Sequence, residues 1–529
     1  MEQRGKVNPV LLEVFKHRFS SIAEEMGVTL NRTAFSPNIK ERRDFSCALF
    51  DGNGDMIAQA AHIPVHLGSM PLSVKTAIAS TNFNDGDMVM LNDPFKGGTH
   101  LPDVTIVAPV FAGEGKPVFF AANRAHHADV GGMSPGSMPL STSIFQEGII
   151  IPPLKIVEQG KVDGKLMSFF LNNVRTPEER EGDFSAQIMA NITGVRRIGE
   201  LIRCYGLQDV IHCAAGLTDY SERMVRMAVL EIPDGVYECE DFMDDDGIGG
   251  SRIRIHVKID VHGDRVVLDF SGSDSQVAGS VNAVHAITLS AVLYVFRCIV
   301  REDIPVNAGC LRPLNVITRP GTVVDAIFPA AVAGGNVETS QRVVDAVLGA
   351  LSMAIPGRIP AAGQGTMNNV AIGGVDHRTG LQFAYYETIA GGMGATAETD
   401  GERAVHSHMT NTLNTPVETL EYAYPLLVRE YSIRRGSGGQ GARNGGDGVI
   451  RELQLLSDAE VTVLSERRVT VPYGLAGGTA GAVGRNTIVK DGLSCERPGK
   501  FRENLKRGDV IRIETPGGGG YGQVSQTLT

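Results

Sequence analysis

Apolar positions recur every three or four residues at the start of the chain. Leu12, Phe15, Phe19, Ile22 and Met26 make one face of an amphipathic helix. Asn8 is placed to cap it, Pro9 to open its first turn, and Gly27 to stop it. From 44 to 128 the pattern shortens. Strands are expected at 44–50, 88–91, 104–111 and 118–123, rich in β-branched and aromatic residues and divided by DGNG, NDP and GEG turns. From 177 to 230 the helical period returns. Ile188, Ile192, Val195, Ile198, Leu201 and Ile202 form one face; Ile211, Ala214, Leu217, Met224 and Met227 form another. Strict alternation at Ile253, Ile255, Val257, Ile259 and Val261 marks a half-buried strand, paired with 266–270 across a His262-Gly263-Asp264 turn.

Further on, Asn336 reads as the cap of a helix burying Val344, Val347, Leu348 and Leu351. Seven glycines between 436 and 448 read as a long flexible or functional loop. Strands at 449–456, 461–464, 487–489 and 510–514 follow. Strands and helices mix without regular βαβ alternation, so the expected class is α+β, multi-domain, with a strand-rich C-terminal domain. The expected division is a mixed α/β domain carrying the chemistry at 1–176, a helical hairpin and central α+β domain at 177–435, and a β-rich domain at 436–529.

Composition narrows the partners. With 49 Lys+Arg against 60 Asp+Glu, the net charge of −11 lacks the basic footprint of a nucleic-acid binder. The longest mostly apolar stretch, 286–296, is too short to span a bilayer, so no membrane association is expected. Seven cysteines, an odd number without metal-type spacing, read as reduced thiols in a cytoplasmic protein. The absence of Trp makes recognition by aromatic stacking a minor theme.

The chemistry concentrates in two short runs, GGTHLPD at 97–103 and NRAHHAD at 123–129. Pro102 bars a helix, so His100 and Asp103 sit on a turn entering a strand; the second run ends the neighbouring strand. Imidazole and carboxylate at two adjacent strand ends suit Mn, Fe or Zn better than Mg or a thiolate metal. His126 and His127 point to opposite sides of an extended chain, so one is a ligand and the other a supporting partner or proton carrier. Asp44 opens an apolar strand, where a carboxylate must be either paired with Arg42, Arg43 or Arg124, or coordinated. Glycine runs at 334–335, 391–394 and 516–522 lack the phosphate-binding fingerprints and read as turns.

With these residues in view, the chain resembles the hydantoinase B / oxoprolinase family, the beta subunits of ATP-dependent N-methylhydantoinases. The resemblance lies in RRDFSCALFD (42–51), LNDPFKGGTHLPD (91–103), ANRAHHADVGG (122–132), NVRTPEEREGDFSAQ (173–187), NAGCLRP (307–313), TNTLNTPVETLE (410–421) and TPGGGGYG (515–522). It implies a divalent metal held by Asp44, His100, Asp103 and His126. It also implies a separate ATP-binding alpha subunit with an actin-like fold, which binds ATP and Mg, and hence a hetero-oligomer. The implied reaction opens a small cyclic amide: the partner phosphorylates the ring carbonyl, and this subunit supplies a metal-activated water. His127 or Asp129 would be the general base, and Arg124 would hold a phosphate or carboxylate, or else neutralise Asp44 or Asp129. The competing expectations are a subunit of an ATP-dependent ketone carboxylase and a non-catalytic scaffold.

Overall fold

The computed structural model describes residues 8–60, 62–113 and 115–524. Along these residues helices alternate irregularly with four separate sheets, making a mixed α+β, multi-domain protein. The first sheet carries the site. Its seven strands lie in the order Met56–Gln59, Phe45–Asp51, Phe119–His126, Asp103–Val110, Met88–Leu91, Leu154–Glu158 and Lys161–Val162. All neighbours are antiparallel. Asp103–Val110 and Phe119–His126 are buried along their whole length, because both faces of the sheet are covered.

One face receives the helices Pro9–Thr33 and Pro177–Tyr205, against Phe119, Ala121 and Ala125. The other receives the helix Ser69–Ser80, against Phe120, Ala122 and Val107. The first helix runs six residues past the expected stop at Gly27. Gly27 instead lets the helix press on its neighbours: a Cβ there would sit 2.7 Å from the His62 ring. Along Pro177–Tyr205 the buried stripe is more polar than the apolar period predicts. Gln187 and Asn191 donate to the Val104 and Ile106 carbonyls, while Ile192 is exposed. Ile211 and Met227, on the helix Leu207–Leu230, are exposed too. Apolar spacing marks a helix correctly here but misplaces part of its contact face, because the sheet offers backbone carbonyls to it.

The second sheet, in the order Leu314–Ile317, Arg265–Asp269, Ile253–His262 and Gly235–Met243, contains the alternating strand and its hairpin as expected. The helix Ser340–Ala354 packs on it. The remaining sheets draw strands from both sides of residue 436. Gln382–Glu387 and Asn369–Val375 join Ala459–Leu464 and Lys500–Leu505, and Leu426–Arg434 joins four later strands. The glycine run at 436–448 is packed, not free. Gly445 and Gly518 approach so closely that a Cβ on Gly445 would lie 1.9 Å from the Gly518 carbonyl oxygen, and Gly439 donates to that same oxygen at 2.8 Å.

Candidate metal centre

Local geometry brings the two sequence runs together. The antiparallel register sets Asp103 opposite His126. Gly98 allows the preceding turn to fold tightly; a Cβ there would fall 2.7 Å from the Asp93 carbonyl oxygen. The Asp103 amide closes that turn on the His100 carbonyl at 3.1 Å, which swings His100 over the strand end. On the far side the His126 amide donates to the Asp44 carbonyl at 2.9 Å. The period of two then sorts the side chains: Arg124 and His126 share one face, and His127 takes the other.

Three donor atoms meet. His100 Nε2 lies 3.1 Å from His126 Nδ1, and Asp103 Oδ1 lies 3.4 Å from the first and 3.3 Å from the second. All three side chains are buried. Bonds of about 2.0–2.1 Å to a tetrahedral ion require ligand atoms about 3.3 Å apart. The donor triangle has that size, and imidazole nitrogen with carboxylate oxygen suits Zn, Mn or Fe. His100 Nδ1 donates to the Ala333 carbonyl at 3.1 Å, leaving a lone pair on Nε2. Asn336 Nδ2 stands 3.0 Å from that Nε2 and 3.4 Å from Asp103 Oδ2. Thr99 Oγ1 donates to Asp103 Oδ2 at 2.5 Å, and His66 Nε2 reaches the same oxygen at 3.3 Å. Tyr386 stacks on His126 with 4.6 Å between ring centres.

Beside the triangle is a cavity of about 20 Å³, room for one water-sized molecule. Asp44, His66, Asp103, His126, Asn336 and Tyr386 are among its walls. Burial alone would raise the Asp103 carboxyl, but the His100 and His66 imidazoles hold it well below the usual carboxylate range. Burial lowers His66 and His126. His100 is raised despite its burial, because Asp103 favours its cation.

The other expected residues lie outside the donor triangle. Asp44 shares the cavity but is 3.7 Å from Arg42 and outside the donor triangle. His127 turns to the opposite face, against the Phe184 ring and Gln187 Oε1 at 2.9 Å; burial, with Arg180 nearby, pushes it down to about 4. Asp129 binds the Arg175 backbone and guanidinium at 2.9 and 2.8 Å, an anchor for its loop. Arg124 is spent on hydroxyls, those of Thr105, Ser69 and Ser73 at 2.8, 2.5 and 2.7 Å, and pairs with neither Asp44 nor Asp129. Asn336 is not a side-chain cap. It stands inside a single π-helical turn, Gly335–Thr339, and faces His100.

Sequence reading passes over His66 and Tyr386. His66 occupies a short 3₁₀ turn, Pro64–His66, with no periodic pattern to mark it. Tyr386 lies in a buried strand and looks like any core aromatic.

A buried pair of imidazoles around one carboxylate, on the ends of antiparallel strands, is a donor set that could hold a divalent cation. The chain belongs to the hydantoinase B/oxoprolinase family, whose profile matches residues 8–524. It is 43% identical over 542 residues to the 5-oxoprolinase of Dictyostelium discoideum, a match covering 99% of this chain and 41% of that protein. The chain therefore spans about two fifths of that relative's length. A protein of Pseudomonas sp. (strain NS671), named as one of the subunits of a D-/L-hydantoinase, is 31% identical over 541 residues, covering 98% of this chain and 90% of that protein. The crystal structure of an ATP-dependent caprolactamase from Pseudomonas jessenii matches with a TM-score of 0.91 at 28% identity, over 98% of this chain and 91% of that one. No helix among the described residues is long and apolar enough to cross a membrane.

Proposed function

We propose that this chain is the metal-bearing subunit of an ATP-dependent enzyme that opens small cyclic amides of the hydantoin, N-methylhydantoin or 5-oxoproline type. The observation that carries the reading is the donor triangle of His100, Asp103 and His126 beside a cavity sized for water. A divalent ion held there, with Asp44 in reach of the same cavity, supplies Lewis acidity that lowers the pKa of water towards about 7. The chain's own side chains do the rest. His100 is locked in one tautomer by Ala333, and Asp103 is held ionised at neutral pH. His66, hydrogen-bonded to Ser46 at 2.8 Å, lines the cavity outside the donor triangle and can carry a proton at Nε2. It replaces His127 in that role, since His127 faces away from the cavity.

A cyclic amide resists hydrolysis until its carbonyl oxygen becomes a leaving group, which phosphorylation by ATP achieves. The glycine runs of this chain are packed against backbone. On this reading ATP and Mg bind a partner subunit, which we take to be actin-like in fold, and the working enzyme is a hetero-oligomer. The names of the relatives support both parts: one is a subunit of a hydantoinase and another an ATP-dependent lactamase. Seven free cysteines suit a reducing, cytoplasmic setting.

The test is elemental analysis of the chain beside His100→Ala, followed by ring opening of hydantoin and 5-oxoproline with the ATP-binding partner added. Bound metal and activity in the wild type, both lost in the variant, are the expected result. A metal-free wild type that still supports ring opening overturns the reading in favour of a scaffold. Turnover only with a ketone and bicarbonate overturns it in favour of a carboxylase.

A further inference from the structure

Glu147 is fully buried, 44 residues from Asp103 in sequence, and outside the donor triangle. Its Oε1 accepts three bonds: from Ser141 Oγ at 2.7 Å, and from the Val332 and Ala333 amides at 2.8 and 3.0 Å. Its Oε2 has no partner among the described residues. The two amides begin a tightly seated segment. Gly334 and Gly335 both donate to the Ser280 carbonyl, at 2.8 and 3.1 Å, and a Cβ on Gly335 would fall 1.9 Å from the Asn282 carbonyl oxygen. That segment delivers two groups to the centre: the Ala333 carbonyl, which takes the His100 Nδ1 proton, and the Asn336 amide, which meets His100 and Asp103. Without the carboxylate, two buried amides lose the acceptor that ties this end of the segment down.

We propose that Glu147 is a positioning residue for the metal centre, seating the 332–336 segment so that His100 keeps its proton on Nδ1 and its lone pair on Nε2. The consequence for metal affinity rests on the functional reading above; the consequence for the tautomer does not. Backbone-carbonyl partners of this kind orient ligating histidines, and loss of such an outer partner costs about 10–100-fold in metal affinity.

The experiment uses the full chain with ¹⁵N-labelled histidine, first metal-free and then titrated with Co²⁺. In wild type, at a pH where the His100 ring is neutral, its resonances show protonated Nδ1 and bare Nε2. Glu147→Ala is expected to give a mixture of tautomers and about tenfold or greater weakening of Co²⁺ binding. Glu147→Gln keeps a carbonyl oxygen for the two amides and is expected to restore the Nδ1 proton and most of the affinity. Should Glu147→Ala fail to fold, Glu147→Asp, one methylene short of the amides, is read in the same way. A folded Ala or Asp variant with an unchanged His100 tautomer overturns the proposal. If wild type binds no Co²⁺ while the tautomer still shifts in the variant, the metal reading falls and the positioning role stands.

Discussion

Asp103→Asn isolates the charge at the centre while keeping its shape. The carboxylate is almost fully buried, and its two oxygens do different things. Oδ2 accepts from Thr99 at 2.5 Å and faces Asn336 at 3.4 Å, while Oδ1 faces His100 Nε2 and His126 Nδ1 at 3.4 and 3.3 Å. Asparagine can keep its carbonyl oxygen towards Thr99, which then turns an NH₂ towards the two imidazoles. An NH₂ offers no lone pair to a cation. Structural zinc sites are worth about 10–16 kcal/mol in all, so an equal third of that is about 3–5 kcal/mol. At about 1.4 kcal/mol per decade, the loss is roughly 10²–10⁴-fold in affinity. The assay is competition of Zn²⁺ or Mn²⁺ between the chain and a calibrated chelator at pH 7, with circular dichroism to confirm that the variant is folded. A folded Asp103→Asn chain that binds metal as tightly as wild type would refute the donor triangle as a metal centre.

Two other predictions concern the scaffold. Burial pushes the Glu338 carboxyl up to about 8, from an ordinary value of 4.5. The folded chain then holds a proton that the unfolded chain releases near 4.5, so this group costs stability as pH rises from about 4.5 to about 8, by up to about 5 kcal/mol. Glu338→Gln should gain stability over wild type at pH 8 and lose that advantage by pH 5 in urea unfolding; parallel pH profiles for the two would count against it. A Cβ on Gly518 would sit 1.9 Å from the Met393 carbonyl oxygen, whereas Gly164 has open space around it. Gly518→Ala should lose about 3 kcal/mol or more, or fail to fold. Gly164→Ala should be neutral or slightly stabilising. Equal melting temperatures for the two variants would contradict the packed-glycine account.

Much of the centre is legible in the sequence because it is local. His100, Asp103 and His126 lie on one β-hairpin and the turn before it, so strand spacing and Pro102 nearly force them together. The choice between His126 and His127 follows from strand alternation once the sheet is known to be covered on both sides. Arg124 and Asp129 have partners that the sequence reading does not name. Those side chains are buried, and a buried charge takes whatever partners packing supplies: three hydroxyls for the one, Arg175 for the other.

By itself, then, the sequence determined the α+β class, four of the seven strands of the first sheet, the alternating strand of the second, and the imidazole–carboxylate hairpin. Each depends on periods of two or three to four residues, which act over a few neighbours. Tertiary structure alone decided which distant groups complete the site. Asn336 reaches His100 across 236 positions, and Glu147 reaches Ala333 across 186. It also decided that the glycine run after 436 packs instead of moving freely. Such contacts come from the stacking of whole sheets and helices, and no periodicity along the chain records which loops that stacking brings face to face.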